Sequence, residues 1–202
     1  MKSNQYKLKT GNCIEIPIPE NYKDCLTLAK SDLYRTTGRM LSTVEVFRSL
    51  VNPKKVTFMF WYRMCQYHGI FYWLFKIIYK IKSSKRNVIL PTQVKAGYGL
   101  YLAHSICMVV NEGTIIGNNV NLSQFLNIGT NNEKAAIIGD NVYVGPHVCI
   151  VEDVHIGSSS TIGAGAVVVK DVQQDATVVG VPAVEKSRKN PARFIVNPYP
   201  FC

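Results

Sequence analysis

Acidic residues are scarce in this chain of 202 residues: 13 Asp and Glu stand against 23 Lys and Arg, so the formal net charge is +10. Such an excess of positive charge favours a polyanionic partner, for example a phosphorylated cofactor or an anionic membrane. The basic residues are scattered and no known nucleic-acid-binding module is present, so we expect no nucleic-acid partner. Hydrophobic residues at 47% and charged residues at 18% exclude a disordered or collagen-like chain.

Long uncharged apolar runs and closely spaced cysteines are also missing. The richest apolar stretch, residues 56–81, is interrupted by Arg63, Lys76 and Lys80, so it is not expected to cross a bilayer. The polar N-terminus lacks the apolar core of a cleavable signal, and the six cysteines lie far apart, so no disulfide framework is required. We therefore expect a reduced, cytoplasmic protein, either free or at the inner face of the membrane.

From about residue 90 the sequence repeats with a period of six. An aliphatic residue, usually followed by Gly, recurs as in Ile116-Gly117 and Val144-Gly145, and seven of twelve such hexads carry the Gly. Two additional residues are expected between Met108 and Ile116. A period of six is typical of a short strand followed by a corner, and three such sides close one coil. The sequence therefore predicts a parallel β-helix of about four coils.

The region before the repeats has a helical pattern instead. Apolar residues recur at helical spacing in residues 21–38 and 42–52, and Pro53 separates the second segment from the aromatic stretch. Gly69 is expected to break that stretch into two amphipathic helices, which either pack on other helices and a partner subunit or rest on a membrane surface. The predicted organisation is a helical N-terminal region (1–88), a β-helix domain (89–185) and a C-terminal tail that leaves the end of the helix (186–202).

The repeat region resembles the hexapeptide-repeat acyltransferases in the strings GYGLYLAHSICMVVNEGTIIGNNVNLSQFLNIGT, IIGDNVYVGPHVCIVEDVHIGSSSTIGAGAVVVKDV and VVGVPA. Within that family it is similar to the serine acetyltransferase-like group, which includes bacterial polysaccharide O-acetyltransferases. The DLYRTTG and FWYRMCQYHG strings are similar to the helical N-terminus of the polysaccharide members. The resemblance implies a mainly β protein with a left-handed parallel β-helix, a homotrimer, acetyl-CoA as donor, and an active site between subunits.

His104 is the predicted catalytic base. Acetyl transfer to a hydroxyl needs a group that removes the proton, and histidine titrates close to neutral pH. Counting hexads places His104 in one corner column with Gln124, Pro146 and Ala164, and the resemblance implies that this column binds the coenzyme. A backbone carbonyl or Glu112 is expected to orient the imidazole. The residues expected to bind acetyl-CoA are Gly145, Pro146, Gly163, Ala164, Lys170 and Lys186, the two lysines lying near its phosphates with Arg188.

The other histidines are assigned lesser roles. His68 is expected to be structural, and His155 is expected on an outer face. His147 either lines the coenzyme groove or packs on the surface. A zinc hydratase that shares histidines between subunits is an alternative, but no metal is predicted because His104, His147 and His155 do not fall in one column.

The acceptor is predicted from departures from the serine acetyltransferases proper. Those enzymes carry Asp at the positions of Ile89 and Ala103, and an Arg-His pair where this chain has Lys134 and Ala135. Because these groups for binding an amino acid are missing, we predict a sugar hydroxyl of surface or capsular polysaccharide synthesis, free or lipid-linked, as the acceptor. The alternatives are a serine O-acetyltransferase and a non-catalytic trimeric scaffold. The polar loop 130–136 either reaches over a neighbouring active site or has no role beyond solvent contact.

Overall fold

The computed structural model describes residues 1–51, 58–131 and 134–201. The chain begins with an antiparallel hairpin and continues through helices into parallel strands. The hairpin strands are β1 (Lys2–Lys7) and β2 (Cys13–Ile18), and the helices are α1 (Tyr22–Thr37), α2 (Thr43–Val51), α3 (Phe58–Met64) and α4 (Tyr72–Ser84). Among the described helices, none is long and apolar enough to cross a membrane.

The remaining strands form a parallel β-solenoid of about four turns with three faces. The first face contains β4 (Lys95–Ala96), β7 (Ile115–Ile116), β10 (Ile137–Ile138) and β13 (His155–Ile156). The second contains β5 (Tyr101–Leu102), β8 (Asn121–Leu122), β11 (Tyr143–Val144), β14 (Thr161–Ile162), β16 (Thr177–Val179) and the antiparallel β17 (Val184–Ser187). The third contains β3 (Val88–Ile89), β6 (Met108–Val110), β9 (Asn127–Gly129), β12 (Cys149–Val151) and β15 (Val167–Val168). The predicted parallel β-helix is confirmed.

The repeated aliphatic side chains fill the interior of the solenoid. Ile116 and Ile138 are 0% exposed and lie opposite each other in the parallel pair of β7 and β10. Each coil therefore buries its aliphatic residues on the next coil. The glycine that follows permits the close approach, since a Cβ on Gly117 would lie 2.4 Å from the carbonyl oxygen of Gly139.

The first coil differs from the predicted register. Pairing of β6 with β9 sets Val110 opposite Ile128, so Val110 takes the inward place that we assigned to Met108. The expectation of two additional residues between Met108 and Ile116 is therefore wrong. The additional residues come earlier, between β5 and Val110. Met108, two residues before Val110 on the same side of the strand, is also buried. Hydrophobicity alone therefore did not distinguish the two registers.

The helical predictions for α1 and α2 are confirmed. The Asn21 side chain accepts a hydrogen bond from the Asp24 backbone N–H (2.9 Å) at the start of α1, and Gly38 ends that helix with φ of 68°. The aromatic stretch is divided at Gly69 into α3 and α4, as predicted. Pro53 lies outside the described residues.

The hairpin is an addition to the predicted helical region. Its buried residues Leu8, Ile14 and Ile16 pack against Ile115 and Ile137, so the hairpin covers the first face of the solenoid. The sequence did not reveal it because β1 is polar and almost wholly exposed.

The C-terminal tail does not leave the end of the solenoid, so that expectation is wrong. After β17 the chain turns back along the second face, where the Asn121 side-chain amide donates to the Phe194 carbonyl (3.0 Å). Farther along, the Arg35 Nε donates to the Val196 carbonyl (3.0 Å). Side chains of the second face and of α1 thus hold the backbone of the tail. The predicted domain boundaries near residues 88 and 185 stay predictions.

Candidate active site

The turns between the second and third faces form a column that we call the histidine corner, residues 103–107, 123–126, 145–148 and 163–166. Backbone hydrogen bonds connect one turn to the next. The His147 N–H donates to the Gln124 carbonyl (3.1 Å), and the Gly165 N–H donates to the Pro146 carbonyl (2.8 Å). Together with the pairing of β11 and β14, this sets Gln124, Pro146 and Ala164 in one column, as the hexad count indicated.

His104 lies beside that column on a turn that is longer than the others. In the first coil the Phe125 N–H donates to the Ile106 carbonyl (3.3 Å), so Ile106 occupies the place that the hexad count gave to His104. His104 and Ser105 are thus the two additional residues, both in the left-handed region with φ of 60° and 39°. The Ser105 hydroxyl donates to the Leu102 carbonyl (3.0 Å) and stabilises the turn. The insertion leaves the imidazole exposed.

The exposed imidazole faces a cavity of about 460 Å³ between the first coil and helices α1, α2 and α3. Three ionisable side chains line it, Asp32, Tyr101 and His104, next to apolar residues that include Leu33, Leu41 and Phe60. A largely apolar cavity with a few convergent polar groups is typical of a small-molecule site. The arrangement can hold a hydroxyl group beside the imidazole while helices exclude bulk water from one side.

The carboxylate of Asp32 is fixed by charge-assisted hydrogen bonds. Arg63, which is fully buried, donates from Nε to Oδ2 (2.8 Å) and from Nη2 to Oδ1 (2.9 Å), and the Leu100 N–H also donates to Oδ1 (2.8 Å). Burial raises the pKa of the Asp32 carboxyl, and the Arg63 guanidinium opposes that shift. Within the described residues Oδ2 accepts a hydrogen bond from Arg63 alone, so it retains a lone pair for a ligand.

Arg63 also connects the helices to the solenoid. Its guanidinium donates to the carbonyls of Ala96 (2.8 Å) and Gly97 (2.6 Å) in the first coil. Arg35 of α1 reaches the second face through Asn121 Oδ1 (2.6 Å). These contacts hold the cavity walls in one arrangement relative to His104.

Sequence reasoning missed Asp32 and Arg63 as site residues. Asp32 follows Leu28 and Ala29 at helical spacing and therefore lies on the inward face of α1, where all three are buried. A charged residue is seldom buried unless it is paired. An acid at an inward position was the one signal in the sequence that could have located it.

Gly145, Pro146, Gly163 and Ala164, which we expected to line the coenzyme groove, all lie in the histidine corner. Ala164 is exposed and Pro146 is half-buried. Packing already explains the glycines, since a Cβ on Gly145 would lie 2.8 Å from the Ala164 nitrogen, and one on Gly163 would lie 2.6 Å from Val179 Cγ1. A role in binding the coenzyme stays a prediction for these four residues.

Lys170 and Lys186 lie at the C-terminal end of the solenoid, on different parts of its surface. Lys170 follows β15 of the third face, and Lys186 belongs to β17 at the edge of the second face; both are exposed. Arg188, which we expected beside them, forms an ion pair with Glu185 (2.7 Å). Binding of the coenzyme phosphates by Lys170 and Lys186 stays a prediction.

The remaining histidines lie apart from the cavity. His147 stacks on the ring of Phe125 with centroids 4.5 Å apart, and His68 is exposed after α3. His155 is buried, and its Nδ1 accepts a hydrogen bond from the Lys9 N–H (2.8 Å). The expectation of an open outer face for His155 is wrong because the hairpin covers it. In the parts of the chain that the structure describes, no group of three or more His, Cys, Asp or Glu side chains is arranged to hold a metal ion.

The predicted partner of the His104 imidazole, a backbone carbonyl or Glu112, does not contact it through a hydrogen bond among the described residues. Within residues 1–51, 58–131 and 134–201, no side chain or carbonyl forms a hydrogen bond with that ring. Glu112 is exposed on the following corner. The loop 130–136 is described only in part, since residues 132 and 133 lie outside the described residues.

The repeat and the fold match known proteins of one class. A family model described as bacterial transferase hexapeptide (six repeats) matches residues 135–170. Together with the relatives and solved structures that follow, this match confirms the resemblance to the hexapeptide-repeat acyltransferases and, within them, to the serine acetyltransferase-like group.

The particular relatives are enzymes named serine acetyltransferase. The chain is 27% identical to that of Synechococcus elongatus over 127 residues, which cover 57% of this chain and 52% of the relative. It is 30% identical to that of Bacillus subtilis over 120 residues, 57% of this chain and 55% of the relative. The chain thus spans about half the length of these two relatives.

Solved structures extend the likeness to the helical region. The crystal structure of Neisseria gonorrhoeae serine acetyltransferase in complex with serine matches with a TM-score of 0.67 at 28% identity, over 82% of this chain and 70% of that chain. Soybean serine acetyltransferase complexed with serine matches with a TM-score of 0.64 at 26% identity, over 81% and 70%.

Proposed function

We propose that this protein is an acetyl-CoA-dependent O-acetyltransferase whose acceptor is the hydroxyl group of serine. The observation that carries the proposal is the shared cavity of His104 and Asp32, in which a base and an oriented carboxylate line one space of about 460 Å³. The names of the relatives support the same reaction. Because the chain spans only part of those relatives, the proposal is argued from the site residues of this chain and is tested by measuring acetyl transfer.

His104 acts as the general base. As the serine oxygen attacks the carbonyl carbon of the thioester, the imidazole takes the hydroxyl proton, and the carbonyl electron pair moves onto the oxygen. A backbone amide of a neighbouring coil stabilises that oxyanion. When the intermediate collapses, the carbon–sulfur bond breaks and the coenzyme thiolate leaves with the proton from the imidazolium. Transfer is direct, so no acyl-enzyme forms.

Asp32 is the reason to prefer serine over a sugar. The sequence favoured a sugar because Ile89 and Ala103 stand where serine acetyltransferases have Asp. The structure supplies a carboxylate from another element, α1, and its Oδ2 can accept a hydrogen bond from the serine ammonium group. A neutral sugar gains no such charge interaction. The sugar acceptor of polysaccharide synthesis therefore becomes the alternative.

The histidine corner is the proposed path of the coenzyme. Successive coils stack at about 4.8 Å, so Pro146 and Ala164 lie roughly 10 and 15 Å along the corner from the His104 coil, which is the scale of an extended pantetheine arm. Gly163 and Ala164 keep this part of the corner shallow. At the same end Lys170 and Lys186 would attract the coenzyme phosphates.

The test is acetyl transfer by the purified protein and by a His104→Ala variant. With acetyl-CoA and serine, release of the free coenzyme thiol measures the rate. We expect His104→Ala to lose about 10²- to 10⁴-fold in kcat, which is the usual contribution of a general base, while acetyl-CoA binding by calorimetry is kept. His68→Ala is the matched control and should keep the full rate, since His68 does not line the cavity.

A second arm replaces serine by nucleotide sugars and lipid-linked oligosaccharides. Labelled acetyl groups found on a sugar but not on serine would assign the alternative acceptor. Unchanged turnover in His104→Ala would refute the assignment of the base, and failure to bind acetyl-CoA would favour a non-catalytic scaffold.

A further inference from the structure

Helix α4 carries a stripe of large apolar side chains that nothing in the described chain covers. Ile70, which precedes the helix, and Trp73, Leu74, Ile77 and Ile81 recur at spacings of three and four residues and so lie on one side. Their exposed fractions run from 53% for Ile81 to 88% for Ile70. We call these five residues the α4 stripe. A contiguous exposed apolar patch on one helix face marks an interaction surface.

The opposite side of α4 already anchors the helix. Tyr72 and Tyr79 are buried in the same core as the inward residues of the solenoid, and Phe75 packs against it. The Tyr79 hydroxyl donates to the Leu90 carbonyl. Because packing of the helix does not need the α4 stripe, the stripe is available for another surface.

Lysines lie beside the stripe. Lys80 and Lys85, together with Ile77 and Ile81, line a shallow hollow of about 440 Å³. The Lys76 ammonium lies 5.3 Å from the centroid of the Trp73 ring. Apolar residues on one face with lysines at its edges are typical of helices that lie in the interface of a bilayer, where the lysine heads extend to the headgroups.

The surrounding sequence has an unusual charge distribution. Between Glu45 and Glu112 there is no Asp or Glu, whereas the same segment carries seven Lys and three Arg. A second copy docked by the same stripe would bring its lysines against these lysines with no carboxylate from the segment to pair with them. An anionic surface is complementary to this charge, whereas a copy of the same segment is not.

We propose that the α4 stripe binds anionic phospholipid bilayers, the five apolar side chains entering the interface while Lys76, Lys80 and Lys85 pair with headgroup phosphates. The helix precedes the first coil, so it lies at the N-terminal end of the solenoid. This attachment is independent of the proposed reaction, and it concerns binding to the surface only.

Flotation of the full-length protein with vesicles tests the proposal. Vesicles of phosphatidylcholine with one part in four of phosphatidylglycerol should bind the protein, and vesicles of phosphatidylcholine alone should bind it much more weakly. Ile77→Glu should lower the partition coefficient by about tenfold or more, since a charge then enters the apolar interface. The matched control Val184→Glu adds the same charge at an exposed valine on β17, far along the chain, and should bind as the unaltered protein does.

The lysines are tested by charge reversal. Lys80→Glu with Lys85→Glu should weaken binding by at least about fivefold for each lysine, and added salt should weaken binding of the unaltered protein in the same direction. Lys7→Glu with Lys23→Glu, at two exposed lysines outside α4, is the matched control. In a Trp61→Phe background the emission of Trp73 should shift to the blue with anionic vesicles. Circular dichroism confirms that each variant is folded.

Two results would overturn the inference. One is equal binding of Ile77→Glu and Val184→Glu to the anionic vesicles. The other is no binding of the unaltered protein to the anionic vesicles. If Ile77→Glu then also forms a smaller oligomer by light scattering, the stripe is a contact between copies.

Discussion

Asp32 and Arg63 show how two distant residues build one site. In the described structure every N–H of the Arg63 guanidinium group donates to an oxygen. Arg63 of α3 thereby holds the Asp32 carboxylate in the cavity that His104 lines. Removing one member of a buried ion pair leaves the other charge without compensation, which costs about 3–5 kcal/mol. The pair therefore affects both stability and the acceptor.

Asp32→Asn should raise the KM for serine more than it lowers kcat, because a neutral amide does not attract the ammonium group. It should also lower the free energy of unfolding in urea by about 3 kcal/mol, since Arg63 is left as an uncompensated buried charge. The measurements are steady-state kinetics and urea unfolding followed by circular dichroism.

Asp175→Asn makes the same chemical change at a turn outside the cavity, and its unfolding free energy should stay within about 0.5 kcal/mol of the unaltered protein. An unchanged KM for serine in Asp32→Asn would contradict the role of Asp32 in acceptor binding.

At the scale of elements, three additions to the repeat decide what the solenoid presents. The two inserted residues His104 and Ser105 expose the imidazole, the hairpin covers the first face, and the tail covers the second. None of them follows the period of six. The solenoid itself is fixed by that period, whereas its surface is determined by these non-repeating segments.

The hairpin should open when its buried side is made smaller. Ile14→Ala with Ile16→Ala removes side chains that are 1% exposed, and each change should cost about 2–5 kcal/mol. We expect faster hydrogen exchange at His155 and faster trypsin cleavage at Lys9, while the strands of the second and third faces keep their protection.

The control for the hairpin is Glu15→Gln, on the exposed side of the same strand. Protection of His155 that is equal in both variants would show that the hairpin is not held by its apolar contacts with the first face.

At the scale of the whole molecule, neither the hairpin nor the tail covers the third face, and several of its apolar residues are exposed in the described part of the chain. Ile89, Val109 and Val169 are exposed there, and Ile106 and Phe125 are exposed on the adjoining histidine corner. Apolar surface next to the proposed site is what a subunit interface would cover. This distribution supports the predicted homotrimer, with the active site at the contact between subunits.

Light scattering should therefore give a mass near three times the chain mass of 22.6 kDa. Val109→Glu should reduce that mass and the acetyl transfer rate together, because a charge is buried at the contact and the site is left incomplete. Val196→Glu, at an exposed valine of the tail, should leave both unchanged. A monomeric unaltered protein with full activity would contradict the trimer.

The period of six predicts the solenoid and the corner column of Gln124, Pro146 and Ala164, because stacking of equal coils requires the same residue types at a fixed spacing. The helices on either side of Gly69 follow in the same way from local sequence. In contrast, the inserted turn of His104, the position of Asp32 of α1 in the same cavity, and the covering of two faces by hairpin and tail depend on packing of the folded chain. Those contacts join segments far apart in the chain, and their partners are selected by packing in three dimensions, which leaves no periodic signal in the sequence.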